Sequence, residues 1–585
     1  MPVQAGPVQL GSAQPAPQAG HWLPASGGFF NHIGDRPPAK MSNATRYLCA
    51  AAYEDPVYTN TVIRQLITTH RGVAPSQGID LDPIMRNCLR ARKMRLIRDT
   101  LFVVLLLAGL RLVPFQTEVF LMICYFVGFL PSVDWARKSH GFKIFALVGS
   151  VLLGLNLLGE LFLILLAPVI DAIAKGLSSG SGDVGSTLQQ QLNLTSPATL
   201  VVLGGIVAVQ LVFWYLVART QCDELSFSGT PKSLAPHPNA KVEARRNPFD
   251  ELSRAGFSAS ADTGRAWSIA IELLRENSGR GLIPGLSNSQ GYVAIDPVEL
   301  HQAIRDRLLL LNDEALPGNE RLSGLALDDL IVGPGYQRWD SPVLDLRLGV
   351  PYSWASPDAI HALIRQPQAG LRYYQRFSVR DESQPVWASR GKVIDGWDHG
   401  VITSAFIYVA VEGRMLYVEF VAAVMPPVDP RYSFIDALPK LSQGAFAFRV
   451  VRHSLRQLFE DVFYSPGRLA KSLNTRLGHW RGYRAETNAP KQVAIGDLGA
   501  LISVRELGAA PRLGTYIQEL DVTKYTKLAE RMITDTVLDF LADKGVDISA
   551  YAQSAGAVIN NSGVIGKNVS VSGTLAFGNA SVKSN

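Results

Sequence analysis

The chain has few of the residues that hold disulfide-rich or metal-binding proteins together. Its 585 residues include four cysteines and ten scattered histidines. The cysteines form no CxxC pair, which excludes a disulfide framework, and reduced thiols fit domains on the cytoplasmic side of a membrane. No apolar run follows a basic start near the N-terminus, so we expect no secretory signal peptide. No ligand spacing predicts a metal or another cofactor.

Motifs for catalysis are also missing. The sequence contains no HExxH, no GxxxxGK[ST] and no GxGxxG. Residues 176–180 match GxSxG, but they lie in a Gly/Ser-rich stretch, not at a strand-to-helix turn, and we treat the match as chance. Asp398 and His399 are adjacent and could form a general acid/base pair, although a polar β-turn is the preferred interpretation. The sequence therefore predicts no catalytic residue.

Charge is low for a soluble protein. Only 18% of the residues are charged, against about 25% in ordinary soluble chains. Long apolar runs explain the deficit, and they cover residues 101–133, 144–170 and 199–218. The first run exceeds the roughly 20 residues that cross a bilayer, and Pro114 interrupts it. We interpret it as two spans, about 100–114 and 117–133, with a re-entrant hairpin as the alternative. The expected fold class is a bundle of about four transmembrane helices over residues 99–218, followed by a cytoplasmic α+β domain.

Basic residues set the expected orientation. They cluster before the first span, between the second and third spans, and after the fourth, whereas residues 175–197 contain one lysine. The positive-inside rule then places both termini in the cytoplasm of a plasma-membrane protein. Asn156 and Glu160, four residues apart in the third span, are candidate intramembrane polar residues for an ion or proton pathway. A helix–helix hydrogen bond is the alternative.

The remaining chain divides by composition. We predict a disordered tail over residues 1–43, a helical cytoplasmic segment over 44–98, a linker over 219–250, an α+β domain over 251–545 and a β-prone tail over 546–585. Within the domain, helical periodicity covers residues 262–277, 297–312 and 521–543. Strand patterns cover residues 371–380, 401–411 and 415–425, the last two joined as a hairpin by Glu412-Gly413-Arg414. We expect an antiparallel sheet that is covered on both faces.

A basic helix is predicted next to this sheet. Residues 446–484 contain eight Lys and Arg residues but only two acidic ones. Val451, Leu455 and Leu458 belong to an apolar stripe, and three arginines lie on another side, namely Arg449, Arg452 and Arg456. Such a helix can lie on an anionic bilayer, so these arginines are candidates for membrane-surface contact. A solvated surface helix is the alternative, and no recognition motif supports nucleic acid as a partner.

The C-terminal tail has a pattern of its own. Its last 31 residues carry Lys567 and Lys583 as their only charged side chains, and β-branched residues alternate with small polar ones. Low charge, high β-propensity and absence of proline favour cross-β assembly. The residues that we expect to carry tail assembly are Gly563, Gly566, Asn568, Val569 and Gly573. An unstructured terminus and a short β-solenoid cap are the alternatives.

Two resemblances bear on function. The sequence NSGVIGKNVSVSG at residues 561–573 resembles the short amyloid-signalling motifs of bacterial conflict systems. In those systems a matching motif on an NLR-type receptor templates the terminal motif of an effector, often a membrane-active one. This implies self-association and a receptor with a matching motif. The segments TRYLCAAAYEDP (45–56) and KYTKLAERMITDTVLDFL (524–541) resemble actinobacterial multi-pass membrane proteins, which implies a bacterial plasma membrane.

The sequence thus predicts an effector or adaptor of a bacterial defence or cell-death system. We expect its tail to cluster the chains and the bilayer to be its target. Two other functions stay open. One is an oligomeric channel or transport component that uses Asn156 and Glu160, and the other is a membrane-tethered scaffold without chemistry. Nothing in the sequence favours an enzyme.

Overall fold

The computed structural model describes residues 30–31, 41–129, 197–225, 253–254, 266–275 and 291–548, with short gaps inside the longer ranges, and single positions between 149 and 166. The predicted N-terminal tail is almost wholly outside the described residues, and so is the C-terminal tail after Ile548. The predicted third span lies outside them apart from those single positions.

Ten helices are assigned among the described residues, and we number them in chain order. They are α1 (Asn43–Glu54), α2 (Pro56–Val62), α3 (Leu81–Leu112), α4 (Pro114–Ile123), α5 (Pro197–Thr220), α6 (Pro297–Leu309), α7 (Pro357–Arg365), α8 (Gln443–Gln492), α9 (Val504–Leu507) and α10 (Tyr516–Asp543). Turns of π-helix continue α2, α4 and α5 to Ile67, Phe129 and Leu225.

Fourteen strands are assigned among the same residues. They are β1 (Phe30–Asn31), β2 (Ser253–Arg254), β3 (Ala266–Glu272), β4 (Leu325–Gly333), β5 (Tyr336–Arg338), β6 (Leu344–Asp345), β7 (Val350–Pro351), β8 (Trp354–Ala355), β9 (Arg372–Glu382), β10 (Val386–Ala388), β11 (Gly391–Ile394), β12 (Asp398–Glu412), β13 (Met415–Met425) and β14 (Ile495–Asp497).

The main sheet has the order β2-β4-β9-β12-β13-β3. Five of these strands are antiparallel, and the two-residue β2 pairs parallel to β4 at one edge. The predicted hairpin is confirmed, since Glu412 pairs with Met415 and Ile402 with Met425. Gly413 and Arg414 make the turn with φ of +57° and +66°, a backbone region in which glycine has no steric penalty.

Helices α6 and α10 cover one face of this sheet. Alternate residues of the central strands, such as Ala405, Ile407 and Val409, point into a core that α6 and α10 complete. On α10 the residues Ala529, Ile533, Val537 and Leu541 recur every four positions, and all are buried. This stripe seats the helix on the sheet. A capping box at Thr515 and Gln518 begins α10, which supports the helix predicted over residues 521–543.

One predicted helix is instead a strand. The periodicity of residues 262–277 suggested a helix, but Ala266–Glu272 forms β3 and pairs with β13 over seven residues. Trp267, Ile269 and Ile271 alternate with exposed residues and pack on the sheet core. A period of two therefore describes this segment better than 3.6, and pairing with β13 decided between them.

A second core joins the N-terminal helices to the domain that contains the sheet. Helices α1, α2 and the start of α3 pack with the end of α5, with the segment from Val428 to Val450 and with Val504. Arg46 fastens α1 there, because it donates to the carbonyl oxygen of Leu225 (2.8 Å) and pairs with Asp436. The N-terminal helices and the domain therefore pack together beside the start of α3 and the end of α5.

The predicted four-span bundle is wrong for the described residues. Among the residues that the structure describes, the helix Pro197–Leu225 is the only one long and apolar enough to cross a membrane. The run at 101–133 fails for a physical reason. Its first part is only the last third of α3, which begins at Leu81 among charged residues, and the helix ends before Pro114. The second part, Pro114–Phe129, is shorter than a span.

Candidate functional site

Helix α8 lies across the apolar helices and brings distant parts of the chain together. Its first residues contact the end of α5, where the rings of His453 and Trp214 are 4.1 Å apart. Farther along, Phe463 contacts Phe129, with ring centroids 4.9 Å apart. Gly128 packs so closely on this helix that an added Cβ would lie 2.6 Å from the backbone nitrogen of Glu460. The domain is thereby joined to α3, α4 and α5.

Four charged side chains meet at this crossing. Arg98 of α3 donates from Nη1 to Oδ2 of Asp461 (2.7 Å) and from Nη2 to Oδ1 of Asp99 (2.9 Å). Arg468 of α8 donates from Nε to Oδ2 of Asp99 (3.0 Å) and from Nη2 to the backbone oxygen of Asp461 (2.6 Å). Gln210 of α5 donates from Nε2 to Oδ2 of Asp461 (2.9 Å). We call these five residues the charged network.

The charged network is largely removed from solvent. The side chains of Arg98 and Asp99 are 4% and 5% exposed, and that of Asp461 is 13% exposed. Burial lowers the pKa of Arg468, but Asp99 and Asp461 outweigh that effect and raise it, so the guanidinium stays charged. Two arginines balance two aspartates. Removing one partner would leave a buried charge uncompensated, which costs about 3–5 kcal/mol.

An apolar cluster continues from the charged network. Phe102 and Leu106 of α3, Val202 and Ile206 of α5, and Leu458 and Val462 of α8 are all buried together. The guanidinium of Arg98 lies 4.5 Å from the ring centre of Phe213 and 5.7 Å from that of Phe102, so it marks the boundary between charged and apolar surroundings. The charged network therefore sits where α3 changes from a basic helix to an apolar one.

The outer sides of the same helices expose many apolar residues. On α3 they recur every three residues, and on α5 they lie near both ends of the helix. They include Leu101, Val104, Leu107, Leu110, Leu200, Val201, Val212 and Leu216, each at least 41% exposed. Large apolar residues exposed in such number on neighbouring helices are typical of a surface that binds another protein or a membrane. We call this surface the apolar belt.

The predicted membrane-contact residues lie on the exposed side of α8. Arg449, Arg452 and Arg456 are exposed, and beside them Phe448, Val451 and Leu455 are also exposed, Phe448 by 67%. The predicted apolar stripe was thus shifted, because the buried side carries Val450, Ser454, Leu458, Val462 and Ser465. The outer side combines apolar and basic residues, which is the composition of a helix that binds a membrane surface.

The other predicted site residues are not brought together with α8. Asn156 and Glu160 lie outside the described residues, as do Gly563, Gly566, Asn568, Val569 and Gly573. Asp398 accepts a hydrogen bond from the backbone nitrogen of Gly400 (2.8 Å), the contact of a polar turn. Within the described part of the chain, no group of His, Cys, Asp and Glu has the arrangement of a metal site.

Sequence reasoning missed the charged network. Its members are 369 positions apart at the widest hydrogen bond, between Arg468 and Asp99, and no local pattern pairs Arg98 with Asp461. One signal was available, because Gln210 is an amide within the most apolar helix. As a polar residue in an apolar helix, Gln210 was as good a candidate as Asn156 and Glu160.

Comparison with known proteins gives a family. No curated protein and no solved structure matches the chain. A family model described as the AbeC-like domain matches residues 266–574, just over half of the chain. The matched region begins with β3 and contains the five antiparallel strands of the main sheet, α8 and α10. That family is associated with abortive infection and defence systems. The chain therefore belongs to the AbeC-like domain family.

Proposed function

We propose that this AbeC-like protein is a membrane-associated effector of a bacterial defence system. In the quiet state, the charged network holds α8 on α3 and α5. The family's association with abortive infection supports the defence role. The apolar belt supports attachment to a bilayer, with α5 as the helix of sufficient length. The single observation that carries the proposal is the buried network that ties α8 to the apolar helices.

Separation of α8 from α3 and α5 would expose its buried side. Its buried side carries Leu458 and Val462, and half-buried Phe459 and Phe463 lie close by. Once separated from α3 and α5, these residues would join an already exposed face that contains Phe448 and the three arginines. A long helix with those residues would partition to an anionic bilayer. A signal received by the domain would thus become a disturbance of the membrane.

The test is growth and membrane integrity in bacteria that express the full chain from a tightly controlled promoter. We expect Asp461→Ala to arrest growth and admit a membrane-impermeant dye without any trigger, because Arg98 and Gln210 lose the side chain that ties them to α8. Arg219→Ala is the matched control. Arg219 pairs with Asp223 on the surface, where both side chains are at least 60% exposed, and such pairs contribute little.

A second variant separates release of α8 from misfolding. In Arg98→Met with Asp461→Met, an apolar pair replaces the buried ion pair, and such exchanges are often neutral. We expect this double variant to be quiet like the wild type. Equal growth and dye exclusion for Asp461→Ala and wild type, at equal amounts in the membrane fraction, would contradict the proposal and leave a tethered scaffold.

The tail remains a separate prediction. Clustering through Gly563, Gly566, Asn568, Val569 and Gly573, and templating by a receptor with a matching motif, are compatible with this proposal. The AbeC-like match extends to residue 574 and therefore includes these five residues. A chain that ends at Ile548 should keep the quiet state but lose any clustering that follows activation.

A further inference from the structure

Strand β3 is the last described strand on its side of the main sheet. It pairs with β13 from Ala266, opposite Val421, to Glu272, opposite Met415. Among the residues that the structure describes, no strand pairs with its other side over this length. Among these residues β3 is thus an edge strand, and the outward N–H and C=O groups of such a strand can pair with another strand.

The sequence of β3 does not protect this edge. Natural edge strands are usually blunted by proline, lysine or inward charges, whereas Ala266–Ile271 reads AWSIAI and only Glu272 is charged. Ala266, Ser268 and Ala270 are exposed and small, so another backbone can approach closely. An edge strand with this sequence can pair with a further strand.

The chain itself arrives at this edge after α10. Gly545 turns with φ of +74°, and Val546 then forms an antiparallel bridge with Arg275. The backbone nitrogen of Asp547 donates to the carbonyl oxygen of Leu274 (2.8 Å). Ile548 packs on the same core as Ile269 and Ile271.

The backbone hydrogen bonds show on which side of β3 residues 546–548 lie. The backbone nitrogen of Leu273 donates to Arg414, at the turn before β13. Successive residues of a strand point their backbone groups to opposite sides, so Leu274 faces away from β13. Asp547 therefore lies on the outer side of β3. Residues 546–548 therefore run antiparallel to the residues that directly follow β3.

We propose that the outer edge of β3 is the docking site for residues 549–555 of the same chain. These residues follow the last described residue, Ile548. The bridge between Arg275 and Val546 fixes the register, which continues to Ser549 opposite Glu272, Tyr551 opposite Ala270 and Gln553 opposite Ser268. Ala550 and Ala552 would then face inward beside Ile271 and Ile269, where small side chains fit. This inference goes beyond the proposed function and does not depend on it.

The family match includes both segments of the proposed pair. It begins at residue 266, the first residue of β3, and ends at residue 574. The strand and its proposed partner thus both belong to the domain. The β-prone residues 557–571 follow the proposed strand within two positions, so docking would tether them at the sheet edge. Access to the tail would then depend on whether residues 549–555 stay paired with β3.

Residue-resolved hydrogen exchange on the full chain tests the proposal. In the proposed register the amides of Ser268 and Ala270 donate to the added strand, so they should exchange at least tenfold more slowly than unpaired amides. Gln553→Pro removes an N–H that would face β3 and should abolish that protection. Ala552→Pro is the matched control, because its N–H would face away from β3 and proline is tolerated there.

Three outcomes would overturn the proposal. The first is rapid exchange at Ser268 and Ala270 in the wild type. The second is an equal effect of Gln553→Pro and Ala552→Pro. The third is protection that falls when the protein is diluted tenfold, because that would mean pairing between copies. None of these outcomes bears on the charged network, so failure here and failure of the proposed function are distinguishable.

Discussion

Nη1 of Arg98 lies 2.7 Å from Oδ2 of Asp461, although the two residues are 363 positions apart in the chain. Arg98 stands at the boundary between the basic and apolar parts of α3, and Asp461 lies in the long helix of the AbeC-like domain. Their ion pair, with Asp99, Arg468 and Gln210 around it, joins the domain to the apolar helices. Through this ion pair, a change in the domain can reach the apolar helices α3 and α5.

The first prediction concerns stability. Asp461→Ala should lower the free energy of unfolding by about 3–5 kcal/mol, because Arg98 and Arg468 then share Asp99 as the one remaining carboxylate of the charged network, which leaves a positive charge uncompensated. Denaturant unfolding of the detergent-purified full chain measures it. The double variant Arg98→Met with Asp461→Met should recover most of the loss, and Arg219→Ala should stay within about 0.5 kcal/mol of the wild type. Additive losses in the double variant would contradict coupling between the two residues.

The second prediction concerns close packing. A Cβ on Gly128 would lie 2.6 Å from the backbone of both Phe459 and Glu460, and backbone atoms cannot move aside as a flexible side chain can. Gly128→Ala should therefore destabilise the contact with α8 by about 1–3 kcal/mol. Gly204→Ala in α5 is the control, because a Cβ there meets nothing within 4 Å. Thermal unfolding compares the two, and equal melting temperatures would show that α8 does not approach Gly128 closely.

Local patterns predicted the central strands of the sheet and the helices α6 and α10, but they missed β3 and β4. The hairpin of β12 and β13 follows from two β-rich runs and a short turn with Gly413. The helix expected over residues 262–277 was wrong, because Trp267, Ile269 and Ile271 fit a strand once β13 is beside them. A sequence window does not contain that neighbour.

The apolar runs misled for a related reason. A hydropathy average does not show where a helix begins. Helix α3 begins twenty residues before Leu101, so the apolar run is only its last part. The charged network was hidden because its partners come from three separate helices. Of the site, the exposed arginines of α8 were proposed from the sequence, and Gln210 could have been proposed as a polar residue in an apolar helix.

The third prediction concerns pH. Burial lowers the pKa of His301 to about 4, against about 6.5 when unfolded. Between pH 6.5 and pH 4 the unfolded state takes up a proton that the folded state does not, so stability falls as pH falls through this window. The loss should approach about 3 kcal/mol at pH 4.

The comparison that isolates this effect uses His301→Phe, which keeps a ring against Tyr373 but does not titrate. Its unfolding free energy should depend less on pH than that of the wild type in the same window. His361→Phe, at an exposed position of α7, should behave as the wild type does. Parallel pH profiles for wild type and His301→Phe would contradict the assignment.

The fourth prediction concerns the outer side of α8. A bimane probe on Phe448→Cys, in the full chain in nanodiscs, should shift to shorter wavelength when phosphatidylserine replaces part of the phosphatidylcholine. Changing Arg449, Arg452 and Arg456 to glutamine should remove that dependence, because each basic residue near an anionic surface contributes about 1 kcal/mol. Arg531→Gln, on the exposed side of α10, is the control. A shift that persists in the triple variant would show that charge does not direct the contact.

The central claim is that the charged network holds α8 on α3. Spin labels at Leu101 of α3 and Leu455 of α8, both exposed, report the separation of these helices by pulsed electron paramagnetic resonance in nanodiscs. We expect one narrow distance distribution for the wild type, and a longer or broader one for Asp461→Ala. The same narrow distribution in both proteins would contradict it.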